Sequence, residues 1–242
     1  MATDIMAFVQ FSDGTFASLL KEGATAETVT SLPTGGTGLN QVSGVEIGQA
    51  YAGKIAVAAA IKVQTDSAQT GAFSYGYFLG PDGKIMVPVQ GTGFRGTGVA
   101  ALKKPVRMAP GVTLQAAFDT SADAVALASL AVYCRDGTSD VFFVKAVDAT
   151  KTAMVNKDGS TIGNALTGKT IQCAYATYSA QNGLNDNGDG VGGFYIESSD
   201  GQLKAMFPPA NGAFDDELVP YISMPVGVRI MQNDTLSVMA GV

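Results

Sequence analysis

The chain has 242 residues, a formal net charge of −6, 46% hydrophobic and 15% charged residues, 30 glycines, 2 cysteines and no histidine. An acidic chain of this kind carries no electrostatic footprint for nucleic acid, and without histidine it can build neither a Ser-His-Asp or Cys-His catalytic set nor a cysteine-histidine zinc site. Its apolar content excludes free-standing acidic disorder and points to a folded, glycine-rich β chain with much of its surface in contact with something else.

Met6–Phe11 and Thr15–Leu20 read as two strands joined through Ser12-Asp13-Gly14, an Asp-Gly hairpin signal. From Lys21 to Ser43 the chain is rich in Gly, Thr and Ala and is broken by Pro33-Thr34-Gly35-Gly36, which predicts a long loop with a helical turn over Lys21–Thr28. Lys54–Val63 alternates as a strand. Ile55, Val57, Ile61 and Val63 form a bulky face for a core, and Ala56, Ala58 and Ala60 form a small face for close approach. Phe73, Tyr75, Tyr77 and Leu79 alternate in the same way, before a turn at Gly80–Gly83 and a strand at Ile85–Val89. Val112, Leu114, Ala116 and Phe118 form the next alternating strand. Ser121–Leu130 has the alanine content of a helix, but loop-length and periodicity favour a linker running into a strand. Val141–Val147, Thr170–Tyr178, Phe194–Glu197, Leu203–Phe207 and Thr235–Ala240 continue the strand series.

These strands recur. FLGPDGKIMVPVQGTGF (Phe78–Phe94) returns as YIESSDGQLKAMFPPANGAF (Tyr195–Phe214). Asp82-Gly83 falls on Asp200-Gly201, a shift of 200 − 82 = 118, and Pro88 and Phe94 fall on Pro208 and Phe214 at a shift of 120. Asp13-Gly14-Thr15 is echoed by Asp136-Gly137-Thr138, Pro105-Val106 by Pro225-Val226, and Thr113-Leu114 by Thr235-Leu236. Several anchors in one order predict a tandem duplication. The expected architecture is all-β: two antiparallel β-sandwich units of jelly-roll type, residues 1–122 and 123–242, with about eight strands each.

Asn185–Gly190 (NDNGDG) is the most motif-like segment, since Asn185, Asn187 and Asp189 before Gly190 mimic the alternating oxygens of a calcium loop. Asn stands where the first Asp belongs and Ile196 where a bidentate Glu would close the shell, so an exposed loop is the competing reading. Calcium apart, no cofactor is expected. Asp215, Asp216 and Glu217 form a carboxylate cluster at a corner where the first copy has Arg95-Gly96-Thr97. Opposite signs at equivalent corners suit Arg95, Asp215 and Asp216 to contacts between copies. Lys103, Lys104 and Arg107 form a small basic group that could meet phosphate or an acidic neighbour, or simply face solvent. GTGFRGTG (Gly91–Gly98) has suggestive glycines but lacks a Walker-type lysine. Cys134 and Cys173 lie in apolar runs and are expected as buried, reduced thiols. No signal-peptide pattern or membrane-length apolar run is present, which predicts a soluble, cytoplasmically made chain. With no catalytic set, an enzyme is not expected.

Two tandem all-β units sharing a proline-glycine corner resemble the double jelly-roll major capsid proteins of icosahedral viruses. The resemblance implies a structural virion protein whose partners are itself, as homotrimers with pseudo-hexagonal outline, and neighbouring capsomers or other virion proteins. The short loops would imply a smooth shell. A decoration, fibre or other self-assembling surface-layer protein is the second reading. A pair of carbohydrate-binding modules is the third, and the absence of tryptophan weakens it.

Overall fold

A computed structural model of the chain describes residues 3–25, 28–35, 44–65, 73–89, 100–119, 127–145, 150–179, 191–207, 210–211 and 222–240. The chain divides into two compact units, one comprising Met1–Thr120 with Phe214–Leu218 and the other Ser121–Ala213 with Val219–Val242.

The first unit contains β1 (Thr3–Phe11), β2 (Phe16–Lys21), β3 (Thr30–Ser31), a one-turn helix α1 (Ile47–Ala50), β4 (Ile55–Thr65), β5 (Phe73–Leu79), β6 (Ile85–Val89), β7 (Ala100–Arg107) and β8 (Thr113–Asp119). They form two antiparallel sheets, in the orders β2-β1-β4-β7 and β3-β8-β5-β6. Inward side chains of both sheets are buried, among them Ile5, Val9, Leu19 and Ile61 from one and Phe78, Val87 and Leu114 from the other. Period-two alternation puts every second residue of each strand into this sandwich core.

The second unit contains β9 (Leu127–Cys134), β10 (Ser139–Lys145), β11 (Thr152–Ala153), β12 (Val155–Asn156), α2 (Ile162–Ala165), β13 (Thr170–Ser179), β14 (Val191–Glu197), β15 (Leu203–Phe207), β16 (Ala210–Asn211), β17 (Ile222–Arg229) and β18 (Thr235–Ala240). Its main sheet runs β10-β9-β13-β17, with two-residue β12 on β10 and two-residue β16 parallel to β13; its other sheet runs β11-β18-β14-β15. Leu130, Val132, Phe142, Ile171, Phe194, Ile196, Phe207, Leu236 and Val238 share one core with Ile162 and Leu166 of the helical turn. Apart from β12 and β16, the order is that of the first unit.

The agreement extends to single hydrogen bonds. In both hairpins the residue before the turn donates to the carbonyl of the threonine after it: Phe11 N–H to Thr15 O (2.8 Å), Cys134 N–H to Thr138 O (2.8 Å). Asp13 and Asp136 accept the N–H of Thr15 and Thr138. The Asp82 and Asp200 turns close with Gly83 N–H to Gly80 O and Gly201 N–H to Ser198 O. Ile47-Gly48-Gln49-Ala50 and Ile162-Gly163-Asn164-Ala165 each make one helical turn, and each leads to a Gly-Lys pair, Gly53-Lys54 and Gly168-Lys169. Gly48 donates to Val112 O and Gly163 to Asp234 O. A Cβ at Gly48 would stand 2.1 Å from Ala109 O, and one at Gly163 would stand 2.6 Å from Asp234 N, so the backbone approach itself demands glycine. The turns they pack on both contain a left-handed residue, Gly111 (φ 86°) in one and Asn233 (φ 68°) in the other.

The units differ in loop length. Thr34 N–H bonds Val45 O and Gly44 N–H bonds Thr34 O, while Asn156 N–H bonds Ser160 O and Gly159 N–H bonds Asn156 O. The same closure therefore spans ten intervening residues (35–44) in the first unit and three (157–159) in the second.

Several expectations are corrected. No helical turn forms among the described residues of Lys21–Thr28; that segment instead leads into β3. The joint segment, by contrast, is strand from Leu127, as the linker-and-strand reading expected, while 120–126 lie outside the described residues. By register Pro88 corresponds to Met206, since Tyr77 pairs Pro88 and Tyr195 pairs Met206, so the Pro88/Pro208 match was two residues off. Val106 likewise corresponds to Val228, not Val226, because Ala56 pairs Val106 and Ile171 pairs Val228. The strict alternation of Lys54–Val63 is broken at Val57. A bulge there turns Ala56 (0% exposed) inward with Ile61, while Ile55 and Val57 are only half-buried.

Candidate assembly surface

The bulge at Val57 shapes the outer edge of the β2-β1-β4-β7 sheet. Ala56 pairs Val106 and Ala58 pairs Ala101, so the four residues Leu102–Pro105 stand opposite the single residue Val57 and bow out of the edge strand. The second unit repeats this feature: Ile171 pairs Val228 and Cys173 pairs Ser223, leaving residues 224–227 opposite Gln172. A bulge at a sheet edge blocks simple strand addition and presents its own side chains outward. The presented chemistry differs. The first bulge carries Lys103 and Lys104, both exposed, with exposed Arg107 just beyond, whereas the second carries Val226, 83% exposed, where the first has Lys104.

Register defines a row across the outer face of the first unit's sheet: Phe16 opposite Gln10, Gln10 opposite Ala58, Ala58 opposite Ala101. Phe16 is 54% exposed, Gln10 is half-buried and Ala101 is exposed. The same row in the second unit runs Ser139, Tyr133, Cys173, and these are 6%, 9% and 8% exposed. Ala58 is 8% exposed, as covered as its counterpart Cys173, so the rows differ at Phe16 against Ser139 and at Gln10 against Tyr133. At the β14–β15 edge of the second unit, Leu203 and Met206 are 56% and 55% exposed beside half-buried Tyr195, over whose ring Lys151 Nζ sits at 5.3 Å while also pairing with Glu197.

Charge is shared evenly: residues 1–120 with 214–218 hold 8 basic and 11 acidic side chains and residues 121–213 with 219–242 hold 7 and 10, so each unit carries −3 (8 − 11 and 7 − 10).

At each hairpin a lysine after the helical turn locks the Asp-Gly loop. Asp13 accepts from the Thr15 hydroxyl (2.6 Å) and from Lys54 Nζ (2.9 Å), and these hold its carboxyl at about 2. Lys169 and the Thr138 backbone do the same for Asp136, also at about 2. Asp140, bonded to Asn156 Nδ2 at 2.9 Å, is shifted the other way, its carboxyl raised by burial. Each interaction serves a turn of its own unit, and among the described residues no group of three His, Cys, Asp or Glu is placed to hold a metal.

Cys134 and Cys173 are both buried and neither is in a disulfide. Cys134 belongs to the core, where burial pushes its thiol up to about 12. Of the other residues singled out, Lys103, Lys104 and Arg107 come together at the β7 edge. Arg95, Asp215 and Asp216, and the calcium candidates Asn185, Asn187 and Asp189, lie outside the described residues. Sequence reasoning missed the paired bulges. Their signal was faint: matching Pro105 to Pro225 by identity sets the two strands two residues out of the register that aligns Leu102–Pro105 with residues 224–227. Among the described residues no helix is long and apolar enough to cross a membrane. No protein-family model, curated protein or solved structure matches the chain.

Proposed function

We propose that the protein is a self-assembling structural subunit, a major capsid protein whose two jelly-roll units form trimeric, pseudo-hexameric capsomers. The observation that carries this reading is the strand pairing. In the first unit β3–β8, β4–β7 and β5–β6 are nested like one long hairpin, β2–β1 completes the nest when β1 is counted last, and β1–β4 and β8–β5 join the pairs into two sheets. This supports jelly-roll connectivity in which the strand that ordinarily comes last has moved to the front. The second unit has the same nest in β10–β9, β11–β18, β13–β17 and β14–β15. Two such units in one chain support a duplication, and three chains around an axis would then offer six near-equivalent sandwiches for tiling. The exposed apolar side chains at sheet edges fit a surface made for contacts.

Multi-angle light scattering with negative-stain imaging tests the reading. The expected result is a trimer or larger particle, with hexagonal outlines at high concentration. A monomer at every concentration and ionic strength would overturn it.

A further inference from the structure

We propose that Asp158-Gly159, in the turn between β12 and α2, is a self-modification site at which the main chain rearranges to isoaspartate. Self-assembly is not required for it; what matters is how like turns hold their carboxylates.

The described residues contain five Asp-Gly pairs, beginning at Asp13, Asp82, Asp136, Asp158 and Asp200, while Asp189-Gly190 lies outside them. All five aspartates are exposed. Their glycines have φ between 76° and 83°, and each donates its N–H back across the turn at 2.8–3.0 Å, to the carbonyls of Phe11, Gly80, Cys134, Asn156 and Ser198 in that order. Neither exposure nor backbone distinguishes one turn from another.

The carboxylates do. Asp13, Asp82, Asp136 and Asp200 each accept the N–H of the residue two further on, Thr15, Lys84, Thr138 and Gln202, which ties the side chain to its own turn. At the remaining turn Asn156 has taken that donor. Its Oδ1 accepts Ser160 N–H at 2.9 Å and Asp158 N–H at 3.1 Å, and its Nδ2 donates to Asp140 Oδ2, which fixes the direction of the amide. Asn156 is 6% exposed, so this substitution of one cap for another is built into the fold. Among the described residues the Asp158 carboxylate accepts only from Lys157 Nζ, at 2.7 Å, in a pair whose acidic side chain is 65% exposed. Such a pair is weak, and it holds nothing of the backbone that follows.

In an Asp-Gly pair the glycine nitrogen, unobstructed by a neighbouring side chain, attacks Cγ of the aspartic acid. The N–Cγ bond forms, the Cγ–OH bond breaks, and water leaves with the hydroxyl and the amide proton, giving a succinimide. Water then adds at the main-chain carbonyl and breaks its bond to nitrogen, so that the chain continues through Cγ with no net change in mass. Only water is consumed and released. The attack requires the carboxyl to rotate toward the following nitrogen, and a backbone hydrogen bond resists that rotation in four turns but not at Asp158. Asp13 and Asp136 resist further, because carboxyls held at about 2 are seldom in the protonated form that releases water.

The test holds the whole folded chain in mildly acidic buffer at physiological temperature for several weeks. Peptide mapping with electron-transfer fragmentation then reads isoaspartate position by position. It should accumulate at Asp158 at least about fivefold faster than at Asp13, Asp82, Asp136 or Asp200, the factor that one net hydrogen bond is worth. In urea, where the turns are gone, the five rates should converge to within about twofold. Asn156→Ala returns Ser160 N–H to Asp158 and should slow the folded rate there about threefold or more; should that variant not fold, the wild-type comparison decides alone. Equal rates at the five folded sites, a preference for Asp158 that persists in urea, or an unchanged rate in folded Asn156→Ala would each overturn the proposal.

Discussion

Asp13 and Asp136 illustrate how far equivalent residues keep equivalent work: each is bound by the threonine two residues on and by a lysine from beyond the helical turn. Both carboxyls sit at about 2, below the ordinary 3.8. The folded chain therefore holds these protons less readily than the unfolded one. The resulting stability is fully present above about pH 4 and is lost as pH falls toward 2. Both groups are exposed, so solvent screening keeps the effect small. Asp13→Asn/Asp136→Asn should flatten the decline of melting temperature across that window, and a decline as steep as wild type's would contradict it. Other equivalent positions exchange volume. Ile61 faces Gly76 in the first core, where a Cβ on Gly76 would lie 2.3 Å from Ile61 Cδ1; the second core has Ala176 and Phe194 at those places. A large and a small residue have traded sheets, the kind of compensation that keeps a core filled.

At the scale of elements, the turn between β17 and β18 is clamped to β15 by Lys204 and Asp234, with the Asp234 side chain 2% exposed and its Oδ2 also accepting from Met231 N–H at 2.8 Å. The corresponding residues in the first unit are Met86 and Val112, an apolar pair. Asp234→Val alone should cost about 3 kcal/mol, since it strands a lysine that is largely buried. Adding Lys204→Met should recover most of that in urea denaturation; a double variant no better than the single would show that the two frames are not interchangeable there. The strands and hairpin turns were legible in sequence because alternation and Asp-Gly pairs act locally. The helical turns were not, for four residues show no period, although Ile-Gly-Gln-Ala and Ile-Gly-Asn-Ala stand in the open. A nearly constant shift misplaced Pro88 and Val106 because loop lengths change it, from 169 − 54 = 115 at the locking lysines to 138 − 15 = 123 at the hairpin threonines. The bulge at Val57 depends on what four residues of another strand do opposite it, and no local pattern encodes that. For the same reason the candidate surface was seen in part, as three basic residues without the face they border.

At the scale of the whole molecule, the loop that Thr34 and Val45 close with ten residues, and Asn156 and Ser160 close with three, shows that one frame tolerates both lengths without altering the bonds at its mouth. Lengthening a loop threefold costs only about 1 kcal/mol of closure entropy. The short turn Lys157-Asp158-Gly159 is therefore a cargo port. A seven-residue foreign epitope spliced between Lys157 and Asp158 should leave the fold and any assembly standing, with a melting temperature within a few degrees of the parent, as a thermal melt on the tagged chain would reveal. If copies of this chain tile a surface, each would then display the epitope once, at a spacing set by the subunit and not by the guest.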